Sequence, residues 1–263
     1  MTRILHISDL HFGRSVAVVV HALLRKISTL QPDIVVISGD LTQRAKTSEF
    51  KQAAEFLNNL TTPYILVPGN HDLAAFRLVE RLLYPWAKWR KYLSKDLEPT
   101  IRHTNYQIIG INTARRGGLY LDWSRGRINQ QQIERIQQFF NHSPQTLNLL
   151  VAHHPFWLPT NQQHRGLIVG SNTAFQQLKA CGLDMILSGH VHLDYCRVVE
   201  GMIISHAGTT TSDRLVTGYT NSFNLIEGDH LTLTISRYHW KETDFIYFTK
   251  QGFVKQDARW HEQ

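Results

Sequence analysis

A mixed α/β fold built on two sheets is what this sequence predicts, and three observations predict it. Apolar runs of strand length alternate with stretches of helical periodicity through most of the chain. The last quarter gives up that alternation for short strand-like runs with turns between them. Nothing divides the 263 residues, which contain no low-complexity stretch, Ser/Gly linker or internal repeat, so a single domain over 1–263 is the simplest organisation.

Arg3 to Ser8 reads as the first strand and Val18 to Leu30 as the first helix. Ile34 to Ser38 is a short apolar strand. Phe50, Ala53, Ala54, Leu57 and Leu60 then fall at helical spacing, with Thr47 or Ser48 as the N-cap. Tyr64 to Val67 is the third strand and Tyr106 to Ile111 the next. Gln130 to Phe140 is a helix opened by Asn129 with Gln132 three residues on, the spacing of a capping box. Leu147 to Ala152 and Met185 to Ser188 are strands around a helix at Ala174 to Ala180. The β-rich end holds Val198 to Val199, Met202 to Ser205, Ser222 to Ile226, Leu231 to Ile235 and Phe245 to Phe248, broken at Glu227-Gly228-Asp229-His230. Residues 73–98 are expected to form a cap segment and 254–263 a loose tail.

Hydrophobic residues make up 42% and charged ones 19%, the balance of a soluble protein with a proper core. No apolar run approaches the ~20 residues of a membrane span, and Met1 leads straight into strand-like sequence without an apolar signal region, so a cytoplasmic location is expected. Cys181 and Cys196 make neither a framework nor a CxxC pair and read as small buried hydrophobes. The net charge of +7 suits phosphates, nucleic acids or anionic membrane surfaces without choosing among them. Fifteen histidines are more informative, because neutral imidazole is the commonest protein metal ligand.

The strand ends carry the chemistry. Strands finish in Asp9-Leu10-His11, in Gly39-Asp40, in Gly69-Asn70-His71-Asp72, in His153-His154-Pro155 and in Gly189-His190-Val191-His192. The C-terminal edge of an open α/β sheet is where ligands bind. A lone strand-end histidine is more often a structural hydrogen-bonding residue, but five such fragments in one order make a site. Carboxylates, imidazoles and an amide without thiolate suit manganese, iron or zinc in a reactive site rather than a structural zinc cluster. There are ligands enough for two ions, and two ions can clamp a phosphoryl group.

The ordered set Asp9-x-His11, Gly39-Asp40, Gly69-Asn70-His71-Asp72, His153 and Gly189-His190-x-His192 resembles the calcineurin-like metallophosphoesterase superfamily over about residues 3 to 208, and within it the bacterial cyclic nucleotide phosphodiesterases. The resemblance implies a four-layer α/β/β/α sandwich with a dinuclear metal centre. By the same resemblance Asp9, His11, Asp40 and His192 hold one ion. Asp40 bridges to a second held by Asn70, His153 and His190, a metal-bound hydroxide attacks phosphorus, and His71 protonates the leaving oxygen. His71 and Asn70 are thus the catalytic candidates, and both are expected to touch substrate. Asp72 is read as orienting His71 or capping the next helix, and His154 as a supporting histidine.

The substrate is less legible. The resemblance favours a phosphodiester, with 3′,5′-cyclic AMP in first place. Arg14, Arg115 in Asn112-Thr113-Ala114-Arg115-Arg116, and Arg214 at the end of the hydroxyl-rich His206 to Arg214 loop are candidate phosphate contacts. Two readings of Leu82 to Leu93 stay open. It is either a cap helix over the site or a basic amphipathic helix that lays Trp86 and Trp89 on a membrane, where a UDP-2,3-diacylglucosamine-type pyrophosphate would be the substrate. A metal-dependent nuclease is a further alternative, though no separate DNA-binding module is visible. A non-catalytic protein-binding scaffold would be expected to lack ligands that are all present here. No protein partner is identifiable.

Overall fold

The computed structural model describes residues 1–74, 78–117, 124–140 and 145–263. Its first sheet has seven strands in the order β13-β12-β11-β10-β1-β2-β3, and its second has six in the order β4-β5-β6-β7-β9-β8. The parallel heart of the first is β1 (Thr2–Ile7), β2 (Ile34–Ile37) and β3 (Tyr64–Leu66). That of the second is β5 (Tyr106–Ile111), β6 (Leu147–Ala152), β7 (Met185–Ser188) and β9 (Met202–His206). Antiparallel strands flank both. These are β4 (Thr100–Arg102) and β8 (Tyr195–Val199) in the second sheet, and β10 (Ser222–Gly228), β11 (Thr232–Lys241), β12 (Asp244–Gln256) and β13 (Arg259–Glu262) in the first.

Strand side chains alternate between faces, and both faces of each sheet are covered, which is why the parallel strands read as unbroken apolar runs. Ile4, Val36 and Ile65 meet Leu149, Leu187 and Ile203 between the sheets. Leu5, Val35 and Ile37 face the other way, toward Leu23 and Ile27 of α1 (Ala17–Leu30) and Phe50 and Phe56 of α2 (Thr47–Asn58). Leu150, Ile186 and Ile204 pack outward under α5 (Gln130–Phe140) and α6 (Ser171–Leu178). The result is one domain of four layers, α/β/β/α. The capping box of α5 forms as its spacing predicts: Gln132 N donates to Asn129 Oδ1 (2.9 Å) and Asn129 N to Gln132 Oε1 (3.0 Å). In α2 the helix begins at Thr47, so the cap position falls on Lys46, and Glu49 reaches back to accept from the Arg44 and Lys46 amides.

Three expectations need correction. The tail is not loose: β12 runs to Gln256, the chain turns at Asp257-Ala258, and β13 pairs back on it. Trp260 is buried there, and its indole N–H donates to Asp184 (2.8 Å). The hairpin of β11 and β12 is also far longer than its apolar residues suggested. Finally, the basic aromatic segment is not one helix. It divides at Pro85 into α3 (Leu78–Leu83) and α4 (Ala87–Tyr92). Trp86 and Trp89 point into the core shared with Phe50 and Phe12, so they are not a membrane-facing pair. Within the expected cap segment, residues 75–77 lie outside the described ones. No helix among the described residues is long and apolar enough to cross a membrane.

Candidate metal centre

The loops that leave β1, β2, β3, β6 and β7 converge on one point. They are laced together by backbone bonds: Asp9 N to Gly39 O, His11 N to Asp40 O and Gly189 N to His153 O, all 3.0 Å. Asp9, His11, Asp40, His190 and His192 all sit at positive φ, between 48° and 73°, a region costly for residues with a Cβ. The turns also need small neighbours. A Cβ on Gly69 would strike the Asp40 carboxylate, and one on Gly189 would strike Ser8 Oγ and Asp9 Oδ2.

Each carboxylate divides its two oxygens. Asp9 Oδ2 accepts from Ser8 Oγ (2.6 Å) and His190 N (2.9 Å), while among the described residues its fully buried Oδ1 meets only imidazole nitrogens. That Oδ1 lies 3.1 Å from His192 Nε2 and 3.6 Å from His11 Nε2. The two histidine nitrogens are themselves 3.1 Å apart. Asp40 Oδ1 accepts from His71 N (2.8 Å), and its Oδ2 lies 3.2 Å from His153 Nε2 and 3.8 Å from His11 Nε2. Asn70 Oδ1 is 3.2 Å from His153 Nε2 and 3.1 Å from His190 Nδ1, and those two nitrogens are 3.3 Å apart.

Such spacing fits shared ions. Ligand atoms about 2.1 Å from one ion are separated by roughly 3.0 Å at right angles and 3.4 Å in a tetrahedron. The other ring nitrogens hold the imidazoles in the ligating tautomer. His11, His153 and His192 each place Nδ1 on a backbone carbonyl, those of Thr42 (3.3 Å), Ser38 (2.8 Å) and Arg214 (2.7 Å), which can only accept, so Nε2 keeps its lone pair. Two groups follow, Asp9–His11–Asp40–His192 and Asp40–Asn70–His153–His190, with Asp40 common to both.

Electrostatics agree. Burial would raise the Asp40 carboxyl, but the fields of His153, His71 and His11 hold it well below the usual carboxylate range. Asp9 behaves alike beside His192 and His11. Burial lowers His153, yet Asp40 lifts it to about 9, so without an ion a proton sits on Nε2 between the two groups, the position an ion would take, and His190, buried beside it, is held down at about 3. Both carboxylates therefore stay charged.

His154 lies near enough to His153 and His190 to join a metal-binding trio, but both its ring nitrogens are engaged. Nε2 donates to Ser124 O (2.8 Å) and Nδ1 meets Thr113 Oγ1 (2.7 Å), the arrangement of a supporting histidine. His71 donates from Nδ1 to Gln43 O (2.8 Å), leaving Nε2 on the open side, 3.2 Å from Arg214 Nη1. The same Arg214 nitrogen is 3.1 Å from His11 Nε2. Of the three arginines singled out from sequence, only Arg214 is brought into the cluster. Arg14 is exposed and pairs with Asp213 (2.7 Å). Arg115 lines a separate cleft with Asn129 and Gln132 at the start of α5. The hydroxyl loop is structural: Thr209 Oγ1 donates to Asp9 O (2.7 Å) and Thr211 Oγ1 to Leu10 O (2.9 Å), and the buried turn delivers Arg214.

Asp72 neither orients the His71 ring nor caps a helix. Its carboxylate accepts from the amides of Gly69 (2.9 Å), Leu41 (3.3 Å) and Thr42 (2.8 Å) and from Thr42 Oγ1 (3.0 Å), clamping the second and third strand-end loops together. Sequence reasoning missed His6 and His206, both buried near Asp9. The one signal was a polar residue interrupting the apolar run Ile4-Leu5-His6-Ile7.

Comparison with known proteins agrees with this geometry. A probable glycerophosphodiester phosphodiesterase of Arcobacter nitrofigilis is 29% identical over 125 residues, 48% of this chain and 42% of that protein, so the chain spans less than half of it. A probable cyclic nucleotide phosphodiesterase of Coxiella burnetii is 23% identical over 234 residues, 88% of this chain and 82% of its own length. The UDP-2,3-diacylglucosamine pyrophosphatase LpxG of Chlamydia trachomatis is 25% identical over 226 residues, 72% and 63% of the two chains. In fold, a dimetal phosphatase from Danio rerio superposes with a TM-score of 0.63 at 11% identity, over 94% of this chain and 99% of that one. The calcineurin-like phosphoesterase family model matches residues 2–194, and with the geometry above on the page, the chain belongs to that family.

Proposed function

We propose that the chain hydrolyses phosphodiesters at a two-ion centre, one ion held by Asp9, His11, Asp40 and His192 and the other by Asp40, Asn70, His153 and His190. The observation that carries this is the divided carboxylates: each anchors one oxygen on protein donors and turns the other to a pair of imidazole nitrogens. When bound, the ions supply Lewis-acid polarisation of the phosphoryl group and an activated water. The all-N/O donor set favours manganese or iron, with zinc a third choice. The chain's own residues do the rest. His71, fixed through Nδ1 on Gln43, would act as general acid from Nε2 once that nitrogen carries a proton and gives up the Arg214 contact. Asn70 holds its carboxamide oxygen on the second ligand group and orients substrate. Arg214, whose Nη1 lies between His11 and His71, would turn from those nitrogens when an ion and a proton take them and hold a non-bridging phosphate oxygen. Arg14 braces this corner through Asp213, and Arg115 adds positive potential further out.

A cyclic nucleotide, 3′,5′-cyclic AMP, is the leading substrate, supported by the length shared with the Coxiella relative. A lipid-linked pyrophosphate of the UDP-diacylglucosamine type is the second reading, supported by the Chlamydia relative. A nuclease acting on the basic surface would bind with a steep salt dependence. Two free, buried cysteines suit a reducing compartment such as the cytoplasm. The test is hydrolysis of 3′,5′-cyclic AMP and of bis-p-nitrophenyl phosphate by the manganese-loaded protein beside His71→Ala. Turnover of the cyclic nucleotide near 10⁴ M⁻¹s⁻¹ in kcat/KM, lost in the variant, is the expected result. Cleavage of the activated diester alone would move the substrate to the lipid-linked class. No cleavage of either would refute the proposal.

A further inference from the structure

Helix α3 is inside out. Val79, Leu82 and Leu83, with Tyr84 after them, are 71, 55, 65 and 66% exposed, whereas Arg81 on the same helix is 3% exposed. The Arg81 guanidinium donates inward to the carbonyls of Arg116 (2.7 Å), Arg115 (2.8 Å) and Ala74 (3.4 Å). Glu80 is likewise turned onto Lys88 (2.6 Å), whose ammonium also donates to Ala45 O (2.9 Å). A surface helix facing water shows the opposite pattern, polar out and apolar in. The apolar ridge has a basic rim. Arg90 and Arg116, both exposed, line one cleft with Leu83 and Tyr84, and Lys91 is exposed next to Arg90. Both charged residues of α3, Glu80 and Arg81, are turned away from the ridge onto partners.

We propose that this face docks on an anionic lipid bilayer, with Val79, Leu82, Leu83 and Tyr84 entering the interface and Arg90, Lys91 and Arg116 meeting lipid phosphates. Charge selects this occupant: the exposed rim is cationic and the whole chain carries +7. The surface is also placed for it. Helix α3 follows the His71 loop closely in sequence, and Arg81 bolts it to residues 115–116, just past the end of β5. Docking here brings the catalytic edge to the headgroup layer. Trp86 and Trp89 take no part, being the inner face of the same segment. The inference does not depend on which phosphodiester is cleaved.

The test is co-sedimentation of the full chain, loaded with manganese, with vesicles of phosphatidylcholine alone or containing about one-third phosphatidylglycerol. Binding to the anionic vesicles only is expected, weakening as salt rises. Leu82→Glu/Leu83→Glu should lower partitioning at least about ten-fold, and Arg90→Glu/Arg116→Glu should do the same and flatten the salt dependence. Both variants should keep the thermal midpoint and the vesicle-free hydrolysis of bis-p-nitrophenyl phosphate. The proposal is overturned if the wild type stays in the supernatant, or if the leucine variant sediments like the wild type. It is also overturned if light scattering shows that the leucine variant splits a dimer, which would give the face to a second copy. Loss of hydrolysis in the wild type would count against the phosphodiesterase reading and leave the vesicle result standing.

Discussion

Replacing His206 by phenylalanine should make the protein more resistant to acid. The imidazole is fully buried at the end of β9, stacked on Tyr195 with ring centres 4.3 Å apart and 18° between planes, with the Gly189 backbone beside its ring favouring the charged form. Burial, with His6 close by, holds its pKa down at about 3 against an ordinary 6.5. A depressed histidine pKa means that the folded state binds fewer protons than the unfolded chain, so stability is full above pH 6.5 and falls as pH drops toward the folded value. At about pH 5 the unfolded side chain lies roughly 1.5 units below its pKa, which at 1.36 kcal/mol per unit is a loss of about 2 kcal/mol relative to pH 8. Any folded value below about 4 gives the same figure, because the group stays neutral in the fold at pH 5. The assay is urea unfolding of the metal-stripped wild type and His206→Phe at both pH values. Metal is removed because ion binding titrates in its own right. A packing penalty from the larger ring is equal at the two pH values and cancels in the difference. The wild type should lose about 2 kcal/mol more than the variant between them. Equal losses, to within about 0.5 kcal/mol, would show that His206 is protonated in the fold and would refute the reasoning.

Other outcomes follow from the site and the core. Asp40→Asn removes the one carboxylate common to both ligand groups, so ion affinity should drop at least about 100-fold by calorimetric titration and diester hydrolysis should vanish with it. His71→Ala should keep the ion stoichiometry while lowering kcat by about 10² to 10⁴ on an alkoxide leaving group. The loss should be much smaller on p-nitrophenolate, which needs no proton; equal losses on both would remove His71 from the acid role. Trp89→Ala empties a fully buried site under α4 and should lower unfolding stability by about 3–5 kcal/mol in urea; a change below about 1 kcal/mol would mean that the segment is not packed as described.

What could be read from the sequence was whatever local chemistry forces. Strands buried on both faces must be largely apolar, so β1, β2, β5, β6 and β7 announced themselves despite His6, Gln107 and Asn148. Ligands must be Asp, His or Asn, and they stood out at the ends of those strands. What could not be read depends on direction and partner rather than composition. Strand β13 has one apolar residue, Trp260, and exists because β12 offers a ladder and Asp184 an acceptor. Among the described side chains of α3 the buried one is an arginine satisfied by three carbonyls, so an amphipathic reading inverts them. Arg14 and Arg214 are equally cationic, and only the buried hydroxyl loop decides which one meets His71.

The backbone of the site was the least legible part, and it bears on how the ions are captured. Five of the six proposed carboxylate and imidazole ligands hold left-handed conformations, which Asp and His enter more readily than most residues but still at a cost. Each costs of order 1–3 kcal/mol and persists only where the surroundings over-determine it. Here they do. The ligand loops are cross-bonded through Asp9 N, His11 N and Gly189 N, Asp72 ties three amides of two loops, and Thr209 and Thr211 fasten the first loop from beneath. Those bonds involve no proposed ligating atom, so the backbone that positions the donor set is tied together by the fold itself.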